Sequence, residues 1–66
     1  MTPLHYASIN GKLEVVKFLL QKGAKIDAKD AENWTPLLYA AVYGNVQVIK
    51  FLFQKGAQKN PKNLIP

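Results

Sequence analysis

His5, Asp27 and Asp30 are the side chains whose types could support acid–base or metal chemistry. A histidine can act as a general base, and a pair of carboxylates can share acid–base roles or bind a hard cation. The 66 residues contain one histidine and no cysteine, so nothing completes a nucleophile or a ligand set around His5. Asp27 and Asp30 fall in a stretch with the character of an extended turn, where aspartate typically accepts backbone hydrogen bonds.

The wider sequence adds no catalytic signal. No constellation offers a nucleophile, a base and an orienting group together. A glycine-rich phosphate loop and a nucleophile elbow are also absent from the sequence. We therefore expect that the chain is not an enzyme and holds no cofactor and no metal.

Lysine dominates the charge of the chain. All nine basic residues are lysines, and the formal net charge is +5. Such a surface can serve solubility or attract a polyanion. Recognition of nucleic acid usually relies on arginine and on exposed aromatic residues interleaved with the charges. Because arginine is absent, we do not expect a nucleic-acid partner.

The chain is small for an independent domain, and it has no covalent staple. A globule of this size buries only about 60% of the surface of its unfolded form. Stability must then come from efficient helix packing, self-association or continuation into a longer protein. No apolar run approaches the about 20 residues that span a bilayer, so membrane insertion is not expected.

Cysteine usage and the first residues favour an intracellular, cytoplasmic location. No cysteine is present, and no basic region followed by an apolar stretch opens the chain. The lysine, asparagine and isoleucine usage without arginine indicates an AT-rich genome, such as that of an intracellular bacterium or a protist. Delivery into a host cell would then be an option.

The sequence repeats itself at a constant offset of 33 residues. Residues 2–7 (TPLHYA) return as 35–40 (TPLLYA), and residues 21–24 (QKGA) return unchanged as 54–57. No gap is needed anywhere. We therefore predict one repeat domain over residues 1–66, with a first repeat over about 2–34 and a second over about 35–66.

Both repeats carry the same helix boundary signals. A threonine can cap a first helix, the proline after it suits the first helical position, and a later glycine ends the helix. These residues are Thr2, Pro3 and Gly11 in the first repeat and Thr35, Pro36 and Gly44 in the second. A second helix is predicted over 13–21 and again over 46–54, followed each time by a glycine.

The predicted second helices are apolar on all but one narrow stripe. In the first repeat that stripe holds Glu14, Lys17 and Gln21. A helix with so little polar surface is expected to be packed on several sides. Its neighbours would be its own first helix and the helices of adjacent repeats, so neither repeat could bury it alone.

The order Thr-Pro-Leu-His, Ala, Gly, Leu-Glu-Val-Val-Lys-Phe-Leu-Leu and Gly-Ala, at this period, resembles the ankyrin repeat over residues 2–60. The resemblance implies an all-α solenoid of stacked helix-turn-helix repeats with a short β-hairpin finger between them. Residues 26–30, followed by 33–35, look like that finger. The family usually has glycine where Asn33 stands, and asparagine tolerates positive φ better than most residues.

The chain departs from the family pattern in a few places. His5 of the first repeat is replaced by Leu38 in the second. In the family this histidine makes structural hydrogen bonds around the capping threonine and the neighbouring loop, so local rigidity should be lower in the second repeat. Lys59 and Pro61 follow the last glycine, and we expect either a malformed final finger or a tail that packs differently.

The resemblance implies a non-catalytic module that binds a protein partner. The binding surface in the family resembles a cupped hand made of finger tips and exposed first-helix residues. Trp34 and Tyr43 are the expected energetic centre, since both residue types are enriched among interface hot spots. Alternatively, Trp34 lies flat on the hairpin and covers the core. The expected contact residues are Ile9, Asn10, Ala31, Glu32, Trp34, Val42 and Tyr43, with Lys22 and Lys55 extending the rim.

Two alternatives to this function stay open. About three repeats are normally needed for stability, so two could self-associate, giving a homo-oligomer by end stacking or strand exchange. The 33-residue offset also stacks lysines into columns, as with Lys17 on Lys50 and Lys22 on Lys55, which could bind a polyanion.

Overall fold

In the computed structural model, residues 1–57 are described, and they form four helices with no strand among them. The helices are α1 (Pro3–Ile9), α2 (Leu13–Gln21), α3 (Pro36–Val42) and α4 (Val46–Gln54). Each helix of the second repeat begins and ends 33 residues after its counterpart in the first. The predicted helices are therefore confirmed. The expected defect of the last finger, at Lys59 and Pro61, lies outside the described residues.

The four helices form two layers. The first helices α1 and α3 pack side by side, each packs against its own second helix, and α2 contacts α4. Within residues 1–57, no helix has the length and apolar character needed to cross a bilayer.

The backbone at the helix ends repeats closely between the two units. The capping residues Thr2 and Thr35 have φ/ψ of −92°/165° and −100°/164°, and each side-chain oxygen accepts a hydrogen bond from the third helical residue. Gly11 and Gly44 have φ of +67° and +69°, a left-handed conformation that suits glycine. The sequence repeat therefore produces the same local shape twice.

His5 gives the first repeat a side-chain hydrogen-bond network that the second repeat does not reproduce. Its Nδ1 accepts a hydrogen bond from the Thr2 N–H at 3.0 Å, so its Nε2 carries the proton that is donated to the Trp34 carbonyl at 2.8 Å. The ring is fully buried. The structural role expected of His5 is thus present, whereas α3 has only the Thr35 cap.

The core lies between the repeats and draws on all four helices. Leu4, Val16, Val48 and Leu52 are at most 1% exposed, and Ala40 is completely buried. Shared burial of this kind is typical of solenoids, where each repeat is stabilised by its neighbour.

The prediction that the second helices are packed on several sides is wrong for the described residues. Val15 and Phe18 of α2 are 46% and 55% exposed, and Val46 and Phe53 of α4 are 55% and 44% exposed. The reason is the number of neighbours, because α2 and α4 contact their own first helices and each other, which covers only part of each helix.

Asn45 links the two repeats by hydrogen bonds. Its Nδ2 donates to the carbonyls of Ser8 at 2.6 Å and Ile9 at 3.0 Å. These carbonyls belong to the C-terminal turn of α1, where helical backbone oxygens lack intrahelical donors. The side chain also lies close to Gly11, where an added Cβ would stand 3.0 Å from the Asn45 Oδ1.

We expect Asn45→Ala to lower the free energy of unfolding by about 1–3 kcal/mol, because two carbonyls lose their shared donor. Urea unfolding followed by circular dichroism measures the change. The control is Asn10→Ala, since Asn10 is exposed and, within residues 1–57, its side-chain amide donates to the Tyr6 carbonyl of α1 and not to the other repeat. Equal stability of Asn45→Ala and the wild type would contradict the role of this inter-repeat bond.

Candidate protein-binding surface

The segment between α2 and α3 ends in a hydrogen-bonded turn. The Asn33 N–H donates to the Asp30 carbonyl at 2.9 Å, and the Asp30 N–H donates to the Trp34 carbonyl at 3.0 Å. Asn33 has φ of +67°. This combination is typical of a three-residue hairpin loop with a left-handed third residue. The positive φ expected at Asn33 is confirmed, but no strand flanks the turn in residues 1–57.

Asp30 fixes this turn and ties it to α3. Its Oδ1 accepts from the N–H groups of Glu32 at 2.9 Å and Trp34 at 3.0 Å, and its Oδ2 accepts from the Tyr39 hydroxyl. The Tyr39 hydrogen bond, followed by the one from the Trp34 N–H, lowers the pKa of Asp30. Donation to Asp30 raises the pKa of Tyr39 to about 12. The backbone role expected of Asp30 is therefore present, and the bond to Tyr39 adds an anchor.

Trp34 is half-buried, and its surroundings support both interpretations of its role. The indole packs on the Tyr39 ring, with centroids 5.0 Å apart and planes tilted by 41°. The same tyrosine ring stands nearly perpendicular to the His5 ring, at 85°, with the two centroids 5.6 Å apart. Trp34 therefore covers part of the fold while keeping some exposed surface. Its contact with a partner stays a prediction.

The turn and the C-terminal ends of the first helices present the remaining contact residues. Ala31 and Glu32 are exposed at the turn, and Asn10 is exposed after α1, where Ile9 is half-buried. Val42 and Tyr43, at the end of α3, are 62% and 57% exposed. We call Ile9, Asn10, Ala31, Glu32, Trp34, Val42 and Tyr43 the first-helix surface.

Lys22 and Lys55 lie on the layer of the second helices. Both are exposed and follow the last residues of α2 and α4. The Lys22 Nζ lies 5.6 Å from the centroid of the Phe18 ring, and the Lys55 Nζ lies 5.6 Å from that of Phe51. The structure thus places these ammonium groups against second-helix rings, and their part in the first-helix surface stays a prediction.

Two side chains that could support acid–base or metal chemistry are engaged in hydrogen bonds that stabilise the fold. His5 is occupied by Thr2 and by the Trp34 carbonyl, and Asp30 by its turn and by Tyr39. Within residues 1–57, no group of three or more histidine, aspartate or glutamate side chains could hold a metal ion.

Two positioning residues were not predicted from the sequence. Tyr39 gives no sequence signal for its bond to Asp30, because the two are brought together by the turn at residues 30–34. Asn45 does carry a signal, since it breaks the repetition by standing where the first repeat has Lys12.

The fold and the surface together define a helical repeat protein with an exposed face at the ends of its first helices. The family model of ankyrin repeats, described in three copies, matches residues 1–63, and the chain belongs to the ankyrin repeat family. The resemblance found in the sequence is therefore confirmed. Ankyrin repeats are generally protein–protein interaction modules and generally non-catalytic.

Two curated proteins are similar to this chain over about one repeat. One is alpha-latrocrustotoxin-Lt1a from Latrodectus tredecimguttatus, 56% identical over 32 residues, which are 48% of this chain and 2% of the toxin. The other is palmitoyltransferase akr1 from Neurospora crassa, 48% identical over 33 residues, which are 50% of this chain and 4% of that protein. The chain thus spans only a small fraction of either relative.

We expect Tyr39→Phe to destabilise the fold most between about pH 4 and pH 10. The pKa of Asp30 is lowered from 3.8, so its contribution to stability is complete above 3.8 and is lost as the pH falls through the folded-state pKa. The pKa of Tyr39 is raised from 10.0 to about 12, so its contribution is complete below 10.0 and is lost as the pH rises through about 12.

Urea unfolding at acidic, neutral and alkaline pH tests this window. Tyr43→Phe is the matched control, because Tyr43 is an exposed tyrosine at the end of α3. A Tyr39→Phe destabilisation that stayed constant at all pH values would show that the Asp30–Tyr39 bond does not carry the effect.

Proposed function

We propose that the chain binds a protein partner through the first-helix surface. The observation that carries the proposal is the exposure of Val42 and Tyr43, at 62% and 57%, at the C-terminal end of α3, whose Leu37 and Ala40 are buried. Exposed apolar and aromatic residues at a fixed position are typical of protein interaction sites. Family membership supports the same class of function.

Hydrogen bonds hold the parts of this surface in a fixed arrangement. Asp30 ties the turn to α3, His5 ties the Trp34 carbonyl to α1, and Asn45 ties the end of α1 to the start of α4. A surface that is ordered before binding loses less conformational entropy on association. The turn and both helix ends are therefore presented to a partner as one unit.

The chemistry of the surface favours a partner with an apolar anchor and a polar rim. Val42, Tyr43 and the exposed part of Trp34 offer apolar contact, and the hydroxyl of Tyr43 adds a hydrogen-bonding group. Glu32 and Asn10 are exposed polar residues beside them. Such a centre with a polar surround is the usual anatomy of a protein interface.

The test compares two double variants that remove the same residue types from different places. Val42→Ala/Tyr43→Ala removes the proposed centre. Tyr6→Ala/Val15→Ala removes a tyrosine and a valine that are 55% and 46% exposed on the first repeat. Pull-down with immobilised chain, followed by affinity measurement with the captured protein, should show a loss of at least about tenfold for the first variant only.

Circular dichroism checks that both double variants keep their helices. Retention of partner binding by folded Val42→Ala/Tyr43→Ala would overturn the proposal. Trp34→Ala is expected to weaken binding as well, but its packing on Tyr39 means that its stability must be measured in parallel.

Self-association is the second candidate, and a particular surface favours it. A groove of about 460 Å³ on the first repeat is lined mainly by apolar residues, including Met1, Pro3, Tyr6, Val15 and Leu19. The residues at the same positions of the second repeat are covered by the first. Among them, Val48 is 1% exposed, Leu52 is fully buried, and Pro36 is less than 2% exposed.

A second copy of the chain is the occupant that we assign to this groove. Leu13 and Leu20 of the first repeat pack against the core. Val46 and Phe53 stand at the same positions of the second repeat and are 55% and 44% exposed, so a second copy offers a similar apolar face.

Sedimentation over a concentration series should show a dimer or larger species for the wild type, and a monomer for Tyr6→Ala/Val15→Ala. Val42→Ala/Tyr43→Ala should still associate. A wild type that remains a folded monomer at every concentration would exclude this candidate and leave partner binding as the function.

A further inference from the structure

The second helices form a groove on the layer remote from α1 and α3. Its volume is about 720 Å³, and residues of both α2 and α4 line it. Phe18, Leu20 and Phe51 supply apolar surface, and Lys17 and Lys55 supply positive charge. We call these five residues the outer groove. Because they come from both repeats, the groove is a product of repeat stacking.

Lysines from the two repeats share one aromatic ring in this groove. The Lys17 Nζ lies 5.8 Å and the Lys55 Nζ lies 5.6 Å from the centroid of Phe51. The Lys22 Nζ lies 5.6 Å from the centroid of Phe18. An ammonium group has three donors, so one that rests on a ring still directs donors towards solvent. The groove therefore combines lysine ammonium groups, positioned by aromatic rings, with an apolar floor.

Glu14 also lines the groove and offsets part of this charge. Its Oε2 lies 3.6 Å from the Lys17 Nζ, but the Glu14 side chain is 85% exposed and that of Lys17 is 46% exposed. Exposed ion pairs of this kind contribute little to stability, so a second carboxylate can replace Glu14 at low cost. Lys22, just after α2, adds further positive charge beside Phe18.

We propose that the outer groove binds an acidic peptide segment with an apolar residue between its carboxylates. The carboxylates pair with Lys17, Lys22 and Lys55, and the apolar side chain packs against Phe18, Leu20 and Phe51. This site is separate from the first-helix surface. A single-stranded nucleic acid fits less well, because ammonium groups lie over the ring faces on which bases would stack, and arginine is absent.

The probe is a fluorescein-labelled peptide, Glu-Glu-Leu-Glu-Glu, compared with Gln-Gln-Leu-Gln-Gln and with oligothymidylate. The wild type should bind the acidic peptide and not the glutamine peptide. Lys17→Gln/Lys55→Gln should weaken that binding by at least about tenfold, because two charged contacts are lost. Lys12→Gln/Lys29→Gln removes the same charge at two exposed lysines outside the groove and should weaken it by less than about twofold.

Two further variants separate the groove from folding and from the first-helix surface. Lys17→Arg/Lys55→Arg keeps the charge and should retain binding, and Val42→Ala/Tyr43→Ala should bind the acidic peptide as the wild type does. Backbone amide shifts on adding the peptide should centre on α2 and the end of α4. The proposal is overturned by no binding, by equal losses in both glutamine variants, or by tighter binding of oligothymidylate through the same lysines.

Discussion

Burial of one repeat by the other is the constraint on which this structure depends. Equivalent positions with the same residue type differ sharply in exposure: Val15 is 46% exposed, whereas Val48 is 1% exposed. Leu19 is half-buried and Leu52 is fully buried. The difference cannot come from the repeat itself, because the backbone conformation at the helix ends is nearly the same in both. It comes from the neighbour that covers one copy and not the other, which is the nearest-neighbour stabilisation of solenoids.

The helix boundaries could be predicted from the sequence because they depend on local backbone chemistry. Threonine before proline provides both a cap and a suitable first residue, and glycine after the helix accepts positive φ. The same holds for Asn33, whose φ of +67° follows from the tolerance of asparagine for that region. The hydrogen bonds of His5 were expected from its place in the Thr-Pro-Leu-His motif and were found.

Features that depend on distant contacts were not predicted or were predicted wrongly. The second helices have an almost continuous apolar surface. How much of that surface is covered depends on how many repeats lie beside them, and this number cannot be predicted from the sequence of one repeat. Tyr39 meets Asp30 because a turn brings them together, and residue type alone does not identify that pair. Asn45 is visible in the sequence only as a break in the repetition, since the first repeat has Lys12 there.

The first-helix surface and the outer groove exist only while the repeats are stacked. The first-helix surface combines the ends of α1 and α3, and Asn45 ties the end of α1 to the start of α4. The outer groove places Lys17 of α2 and Lys55, just after α4, around Phe51. A partner that contacts both repeats binds the folded state and not the unfolded chain, so it must stabilise the stack by mass action. For a chain with no disulfide and a small core, occupancy of either surface therefore contributes to folding as well as to recognition. Because the two repeats share one core, a ligand that binds either surface is expected to raise the stability of both repeats.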